Sequence, residues 1–395
     1  MLYYVPLESY PNRYTMQWSA SRVGWLEKNW VEHDVCYVRI DGNESETNTG
    51  MGSGLVLNPV TRAKWAFAQT TKLIELIDNH IITSDDQIYF DDFWHPGLEQ
   101  LMYAMELCKE FPTLAAFCHA QSVDKWDFTH KMRNWIRPIE IGFSKIYDYI
   151  FVNNPILQEM MLNINTEHPT VCEPKVRSVG HVFDSEEVRN RAYYHTVRVP
   201  KENRVVYSSR LDNEKNPHFF LDVVEAFVKK HSPYNMEFVI CSGTLLQSND
   251  ASVVPRIRRM KAKYGDYLIV KENLTKEQYY YELRRAKFHM STSRQDWISF
   301  CLLEALSLDC YPIYPCYRSF PEAFGKFANH LYPYPESYPN PEMLADNLQF
   351  LFIERPNDSD AFLPDMFKEI VEPHNHTWKR MLNIMGVNYA GVELE

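Results

Sequence analysis

Short apolar runs rich in β-branched and aromatic residues alternate, through the first half of the chain, with longer segments whose apolar residues recur every three or four positions. Residues 2–5, 36–40, 87–91, 113–118, 147–152 and 176–179 have the length and composition of strands. Between them, 19–33 carries Val23, Leu26 and Trp30 at helical spacing, and 61–77 and 98–110 repeat the pattern, the last after His95-Pro96-Gly97. Strands and helices in alternation predict a parallel sheet covered on both faces.

A second series follows. Strands are expected at 204–208, 236–241, 267–270, 287–292 and 310–314, with helices at 217–230, 254–264, 276–285 and 299–308. The polar stretch FDSEEVRNRAYYHTVRVPKENR loses the strand pattern, which places a hinge near 183–203. Beyond residue 314 come proline-rich turns and then helical spacing at 343–352, 364–371 and 376–385, with no sheet of its own to cover. The fold class is therefore α/β, with two doubly wound, Rossmann-like domains. Open parallel sheets bind ligands beyond the carboxyl ends of their strands, so a central cleft is the expected site.

Composition narrows this picture only where it excludes something. A chain of 395 residues is long enough for two buried cores. No run approaches the about 18 uncharged apolar residues of a membrane span, and MLYYVPLESYPNRY lacks the basic flank of a signal peptide, so a soluble cytoplasmic protein is expected. The eight cysteines never form CxxC and fall mostly in apolar runs, which argues for reduced core thiols and against structural zinc. A net charge of −11 disfavours indiscriminate polyanion binding but permits a local basic surface.

Candidate chemistry concentrates between residues 287 and 315, KFHMSTSRQDWISFCLLEALSLDCYPIYP. Asp296 precedes an apolar helix and Glu304 lies inside it, among Cys301, Leu302, Leu303, Ala305 and Leu306. Such a carboxylate needs a partner, because an unpaired buried charge is costly. The amides at Ser299 and Phe300, opening that helix, suit a phosphate. Arg210 and Lys215, after a strand and before a helix, form either a site for two phosphates or a polar turn on the surface. Gly243 ends another strand, where glycine permits close backbone approach or simply turns the chain.

In the first half, His119 follows an apolar strand, and DDFWHPG ends another with Asp91, Asp92 and His95. These acids suit a polyhydroxyl ligand, or they cap the next helix. Lys125, Trp126, His130, Lys131, Arg133, Trp135 and Arg137 interleave cations with aromatics. That pattern fits phosphate contacts and base stacking, or an amphipathic helix with a buried Trp face and a solvated basic one. Arg256, Arg258, Arg259, Lys261 and Lys263 read as a solvated helix face. Asp358-Ser-Asp360 imitates a metal-binding DxD, but in a polar loop far from a central strand, so no metal is expected. Dinucleotide, P-loop, zincin and nucleophile-elbow motifs are missing from the sequence.

Asp296, seven residues and Glu304-Ala305 resemble the paired-acid signature of retaining glycosyltransferases of the GT-B fold, family 4-like. VVYSSRLDNEKNPHFFLDVVEAF resembles the segment that opens their second domain, and KENLTKEQYYYELRRAKFHMSTS the helix before the acids. The resemblance implies an acceptor-side domain at 1–185, a nucleotide-sugar domain at 186–365 and a tail at 366–395 crossing back onto the first. It also implies that Arg210 and Lys215 meet the diphosphate of a UDP-linked donor and Glu304 the ribose. His119 and Asp296 then contact the transferred sugar, with Gly243, Ser299 and Phe300 completing the donor site and no cofactor or metal needed. Two positions depart from the pattern: Asp296 stands where glutamate is usual, and Asp309 where glycine is usual.

DFWHPG, HAQSVDKWDFT and YVPLESYPNRYTMQWS are similar to glycosyltransferases encoded by bacteriophages, some of which decorate hydroxymethylated pyrimidines in DNA. This second resemblance implies double-stranded DNA as partner, with Asp91, His95, Lys125, Trp126, Lys131 and Arg133 on the acceptor side. A nucleotide-sugar epimerase of the same fold, or an inactive nucleic-acid or carbohydrate binding protein, stays open beside it.

Overall fold

The computed structural model describes residues 1–8, 14–33, 36–43, 59–119, 121–164, 175–197, 199–232, 236–294, 296–333, 340–353 and 358–387. The chain divides into two compact units, Met1–Phe183 with His376–Glu395, and Asp184–Asn375.

The first unit runs β1 (Leu2–Val5), α1 (Tyr14–His33), β2 (Tyr37–Arg39), α2 (Pro59–Asp78), β3 (Gln87–Phe90), α3 (Leu98–Cys108), β4 (Thr113–Phe117), α4 (Arg133–Ile146), β5 (Tyr149–Val152), α5 (Pro155–Asn163) and β6 (Lys175–Ser178). All its strands are parallel, in the order β2-β1-β3-β4-β5-β6. The order reverses at β1, so the chain leaves β1 and β3 in opposite directions and opens a crevice at their carboxyl ends.

Aromatic residues fill the core of this unit. Leu2, Tyr4, Trp18, Tyr89, Phe117 and Phe151 join Trp378, Met381 and Leu382, contributed by the C-terminal helix, in one cluster. Inside it lies a charge. Arg22 of α1 is fully buried, its guanidinium 3.7 Å from the Trp18 ring centre and 5.4 Å from that of Trp378. Its Nε is 3.2 Å from Asp91 Oδ1, and Nη2 donates to the Tyr89 hydroxyl at 3.0 Å. Asp91 also accepts the Tyr4 hydroxyl at 2.7 Å.

The second unit runs α6 (Ser185–Arg191), β7 (Glu202–Tyr207), α7 (Pro217–His231), β8 (Glu237–Cys241), α8 (Val253–Lys263), β9 (Leu268–Lys271), α9 (Lys276–Arg285), β10 (Ala286–Met290), α10 (Phe300–Ser307) and β11 (Tyr311–Ile313). Its parallel sheet has the order β11-β10-β7-β8-β9, reversing between β7 and β10. Beyond it lie a parallel pair, β12 (Pro315–Cys316) and β13 (Tyr332–Pro333), separated by α11 (Phe320–Phe324), and then α12 (Pro341–Ile353), α13 (Asp358–Met366) and α14 (Glu372–Asn375). The last helix, α15 (Thr377–Ile384), belongs to the first unit, where Thr377 and Arg380 donate to the Val179 carbonyl at 3.0 and 2.9 Å.

The polar stretch read as a hinge is in part a helix. Asp184 caps α6 by accepting from the Glu187 amide, and Arg284 donates to the carbonyls of Ala192 and Tyr193. A seven-residue helix is too short for periodicity to reveal it. Asp309, at the position where glycine was expected, adopts a left-handed φ of 57° and takes a hydrogen bond from Tyr194. Aspartate is among the few side chains that tolerate this conformation. Among the described residues no helix is long and apolar enough to cross a membrane. Cys172 lies outside the described residues; among those described, the other seven cysteines form no disulfide.

The buried ion pair sets a stability test. Arg22→Met leaves Asp91 buried without its cation and is expected to destabilise the protein by about 3–5 kcal/mol, read as a lowered urea midpoint. The double variant Arg22→Met/Asp91→Leu should recover much of that loss; equal midpoints for wild type and Arg22→Met would refute the assignment.

Candidate functional site

Two loops meet where the second sheet reverses. After β7 the chain passes through Ser208 and Arg210 into a single 3-10 turn at Asn213–Lys215, and Asn216 then takes a left-handed φ of 49° before Pro217 opens α7. Proline suits this first helical position because its missing N–H would have no partner there. The turn is fastened to both strand ends. The Thr292 hydroxyl, past β10, reaches the carbonyls of Lys215 and Asn216 at 2.9 and 3.0 Å, and the Tyr207 hydroxyl donates to Lys215 at 3.1 Å.

This fastening sets Lys215 Nζ 3.1 Å from Asp296 Oδ2. Burial pushes the Asp296 carboxyl above the usual carboxylate range, although Lys215 and then Arg210 pull it back. Arg210 is half exposed and holds Asp212 at 3.1 Å and Glu214 at 2.6 Å. Ser319 donates to the Asp296 carbonyl, and the Arg294 amide to that of Glu214 at 2.8 Å, which fixes the loop before α10.

Ser299 caps α10 by accepting from the Leu302 amide at 3.3 Å, and Phe300 begins the helix. Glu304 is buried, and its Oε1 accepts from Lys276 Nζ at 2.5 Å and from the Tyr280 hydroxyl at 3.0 Å, both on α9. These are the partners its burial demands. Gly243 lies in an exposed bend after β8, and its φ is not positive, so the bend makes no demand that glycine alone meets.

Beneath these loops runs a hydrogen-bonded chain that the sequence reading missed. The Tyr279 hydroxyl pairs with Ser208 Oγ at 3.0 Å, Ser208 with His289 Nε2 at 2.9 Å, and His289 Nδ1 with the Tyr314 hydroxyl at 2.9 Å. His289 is fully buried, and burial pushes its pKa down to about 3. A neutral imidazole matches its surroundings, donating through one nitrogen and accepting through the other.

In the first unit, His119 donates from Nε2 to the Asp91 carbonyl at 2.8 Å and sets its ring 4.0 Å from that of Trp18. Burial holds its pKa well below the ordinary histidine value. Asp91 and His95 do not face a ligand as the sequence suggested. Asp91 is committed to Arg22 and Tyr4, and His95 is buried with Nε2 3.1 Å from Thr70 Oγ1. The neighbouring Asp92 takes Arg62 at 2.9 Å and accepts from the Trp94 amide at 3.1 Å.

The basic and aromatic run opens outward. Lys125, Lys131 and Arg133 are exposed, and Lys125 Nζ lies 5.7 Å from the half-buried Trp126 ring. On α4 the buried positions are Ile136, Glu140 and Ser144, while Trp135 is 57% exposed, so this helix does not turn its tryptophan inward. Asp358 and Asp360 fall in α13 and not in a loop; their side chains lie outside the described residues.

No family model matches the chain, and no curated protein matches it. Solved structures share its fold. A trehalose-6-phosphate synthase studied for glycosyltransfer with retention superposes with a TM-score of 0.67 at 12% identity, covering 98% of each chain. The N-terminal domain of Candida albicans trehalose-6-phosphate phosphatase gives 0.67 at 13% identity, over 98% of this chain and 96% of that one. The pneumococcal O-GlcNAc transferase GtfA, solved with UDP and GlcNAc, gives 0.55 at 14% identity over 81% of this chain, which spans only 59% of GtfA. The fold is thus GT-B, with two Rossmann-like units.

His289 generates a pH test. Its folded pKa of about 3 lies below the ordinary value of 6.5, so its neutral form contributes stability that is present above pH 6.5 and lost as pH falls toward 3. One proton corresponds to about 1.4 kcal/mol per pH unit in that window. Unfolding free energies measured across it should fall less steeply for His289→Gln than for wild type, and identical slopes would contradict the assignment.

Proposed function

We propose that the chain is a retaining glycosyltransferase that moves a sugar from a UDP-linked donor to an acceptor hydroxyl. The observation that carries this reading is the Lys215–Asp296 pair at the reversal of the second sheet, with Arg210 on the same loop. Arg210 and Lys215 exchange their carboxylate partners for the donor's phosphate oxygens and stabilise the charge that develops on the leaving diphosphate. The α10 amides beside Ser299 add N–H groups and a favourable helix end.

Glu304, oriented by Lys276 and Tyr280, accepts from the ribose hydroxyls. Asp296, released from Lys215, accepts from the transferred sugar. The glycosyl carbon breaks its bond to the phosphate oxygen and forms one to the acceptor oxygen on the same face. The departing phosphate oxygen takes the acceptor's proton, so no protein base and no metal enters the step. The fold shared with a trehalose-6-phosphate synthase and with a transferase solved with UDP supports this reading.

As acceptor we assign a 5-hydroxymethylpyrimidine of double-stranded DNA. The support is the exposed cations Lys125, Lys131 and Arg133 beside Trp126 and Trp135, on a chain whose net charge is −11. Cations contact phosphates, and aromatic faces stack on bases.

Calorimetric titration with UDP tests the donor half. Losing a charge-assisted bond of about 1.5–3 kcal/mol, Lys215→Ala should bind UDP ~10–100-fold more weakly; wild-type affinity would overturn the site. The acceptor half is tested by following UDP release with hydroxymethylated and unmodified duplexes. Release with the hydroxymethylated duplex alone is expected, and transfer to a small hydroxyl acceptor with neither duplex active would reject DNA.

A further inference from the structure

The crevice at the reversal of the first sheet holds a second constellation, on side chains that the donor site does not use. Past β1, the loop at Pro6 is tied to α2: the Pro6 carbonyl accepts from Trp65 Nε1 at 3.0 Å and from Gln69 Nε2 at 2.8 Å. The loop thereby holds Glu8 in place, and this side chain is 1% exposed. Arg62 of α2 bridges it to the end of β3, with Nη1 3.2 Å from Glu8 Oε2 and Nη2 2.9 Å from Asp92 Oδ2. Nη2 also donates to the Trp94 carbonyl at 3.3 Å.

Two acids share one cation, so the cluster carries a net negative charge. The second oxygen of Glu8, Oε1, is buried and has no hydrogen bond to another residue among the described residues. A buried carboxylate oxygen that no other residue satisfies is costly in a folded protein, and a hydrogen donated by a ligand would remove that cost. Asp92, 17% exposed, marks where the cluster meets the surface.

We infer that Glu8, Arg62 and Asp92 form a subsite of the first unit for a neutral, hydroxyl-bearing ligand group, with Glu8 Oε1 accepting a hydroxyl or amine hydrogen. The inference deepens the proposed transfer and rests on it for the identity of the ligand: the acceptor presents an uncharged, donor-rich end here, and its phosphates bind elsewhere. The net negative charge excludes phosphate from this position. In a hydroxymethylated cytosine, the hydroxymethyl group and the exocyclic amine supply such donors; carboxylates are apt partners for that amine.

Saturation-transfer NMR on the full chain tests this with three probes: a hydroxymethylated cytosine nucleoside, a neutral hexose and inorganic phosphate. In Glu8→Gln the amide keeps an oxygen for Arg62 but sets N–H groups against the ligand's own donors. Nucleoside binding is expected to weaken at least tenfold in that variant and in Asp92→Asn, with phosphate failing to compete. The unfolding midpoint of Glu8→Gln should hold or rise, because an unsatisfied buried carboxylate is removed. Binding of the hexose alone, lost in both variants, keeps the subsite and overturns the pyrimidine acceptor. Binding of neither neutral probe, binding unchanged in the variants, or a collapsed midpoint in both overturns the subsite. UDP affinity, measured in the same variants, separates these results from failure of the donor half.

Discussion

An ammonium and a carboxylate 3.1 Å apart, Lys215 and Asp296, join two loops that the reversal of the second sheet sends in opposite directions. The strand order alone would leave an open crevice with nothing to hold its rims in register. The pair closes the rims, and the hydroxyls of Thr292 and Tyr207 fix the backbone from which Lys215 reaches across. The start of α10, Ser299 and Glu304 follow from the same loop, so their positions depend on this contact.

Charge balance around the crevice shapes what can enter it. Arg210 is held by Asp212 and Glu214, Lys215 by Asp296 and Lys276 by Glu304, so each cation already has an acid. An anion arriving here competes with carboxylates that the fold has placed at bonding distance. A simple anion frees an acid for every cation that it takes, and a freed acid in a half-buried site needs a new donor. A molecule with adjacent phosphates and several hydroxyls satisfies both sides of the exchange. The arrangement therefore selects for a ligand of mixed character more strongly than for negative charge.

Much of this was legible in the sequence, for identifiable reasons. Parallel strands buried on both faces are written as short apolar runs, so both sheets could be read, and charged residues at strand ends stood out as Arg210, Lys215 and Asp296. What escaped depends on pairs brought together from distant segments. Glu304 announced that it needed a partner, but Lys276 lies on the preceding helix of the sheet wrap and carries no local mark of that role. His289 sits in an apolar strand like any core residue, and only packing reveals that both its nitrogens are engaged. Asp91 misled because Arg22, at the polar end of its type, is buried among tryptophans in α1. Polarity at a strand end marks the crevice only when no buried cation claims the side chain first.

The first unit is discontinuous: Trp378, Met381 and Leu382 pack in the same cluster as Tyr4, Trp18 and Tyr89, and the whole of Asp184–Asn375 lies between them in the chain. Translation proceeds from the amino end, and domains generally fold as units while the chain emerges. The second unit is therefore fully synthesised before the first can be completed. Until α15 arrives, the wall that Trp378 contributes around the Arg22 guanidinium is missing, and the aromatic seam that it covers stays open to water and to chaperones. The core of the first unit therefore cannot close until the chain has been made through α15.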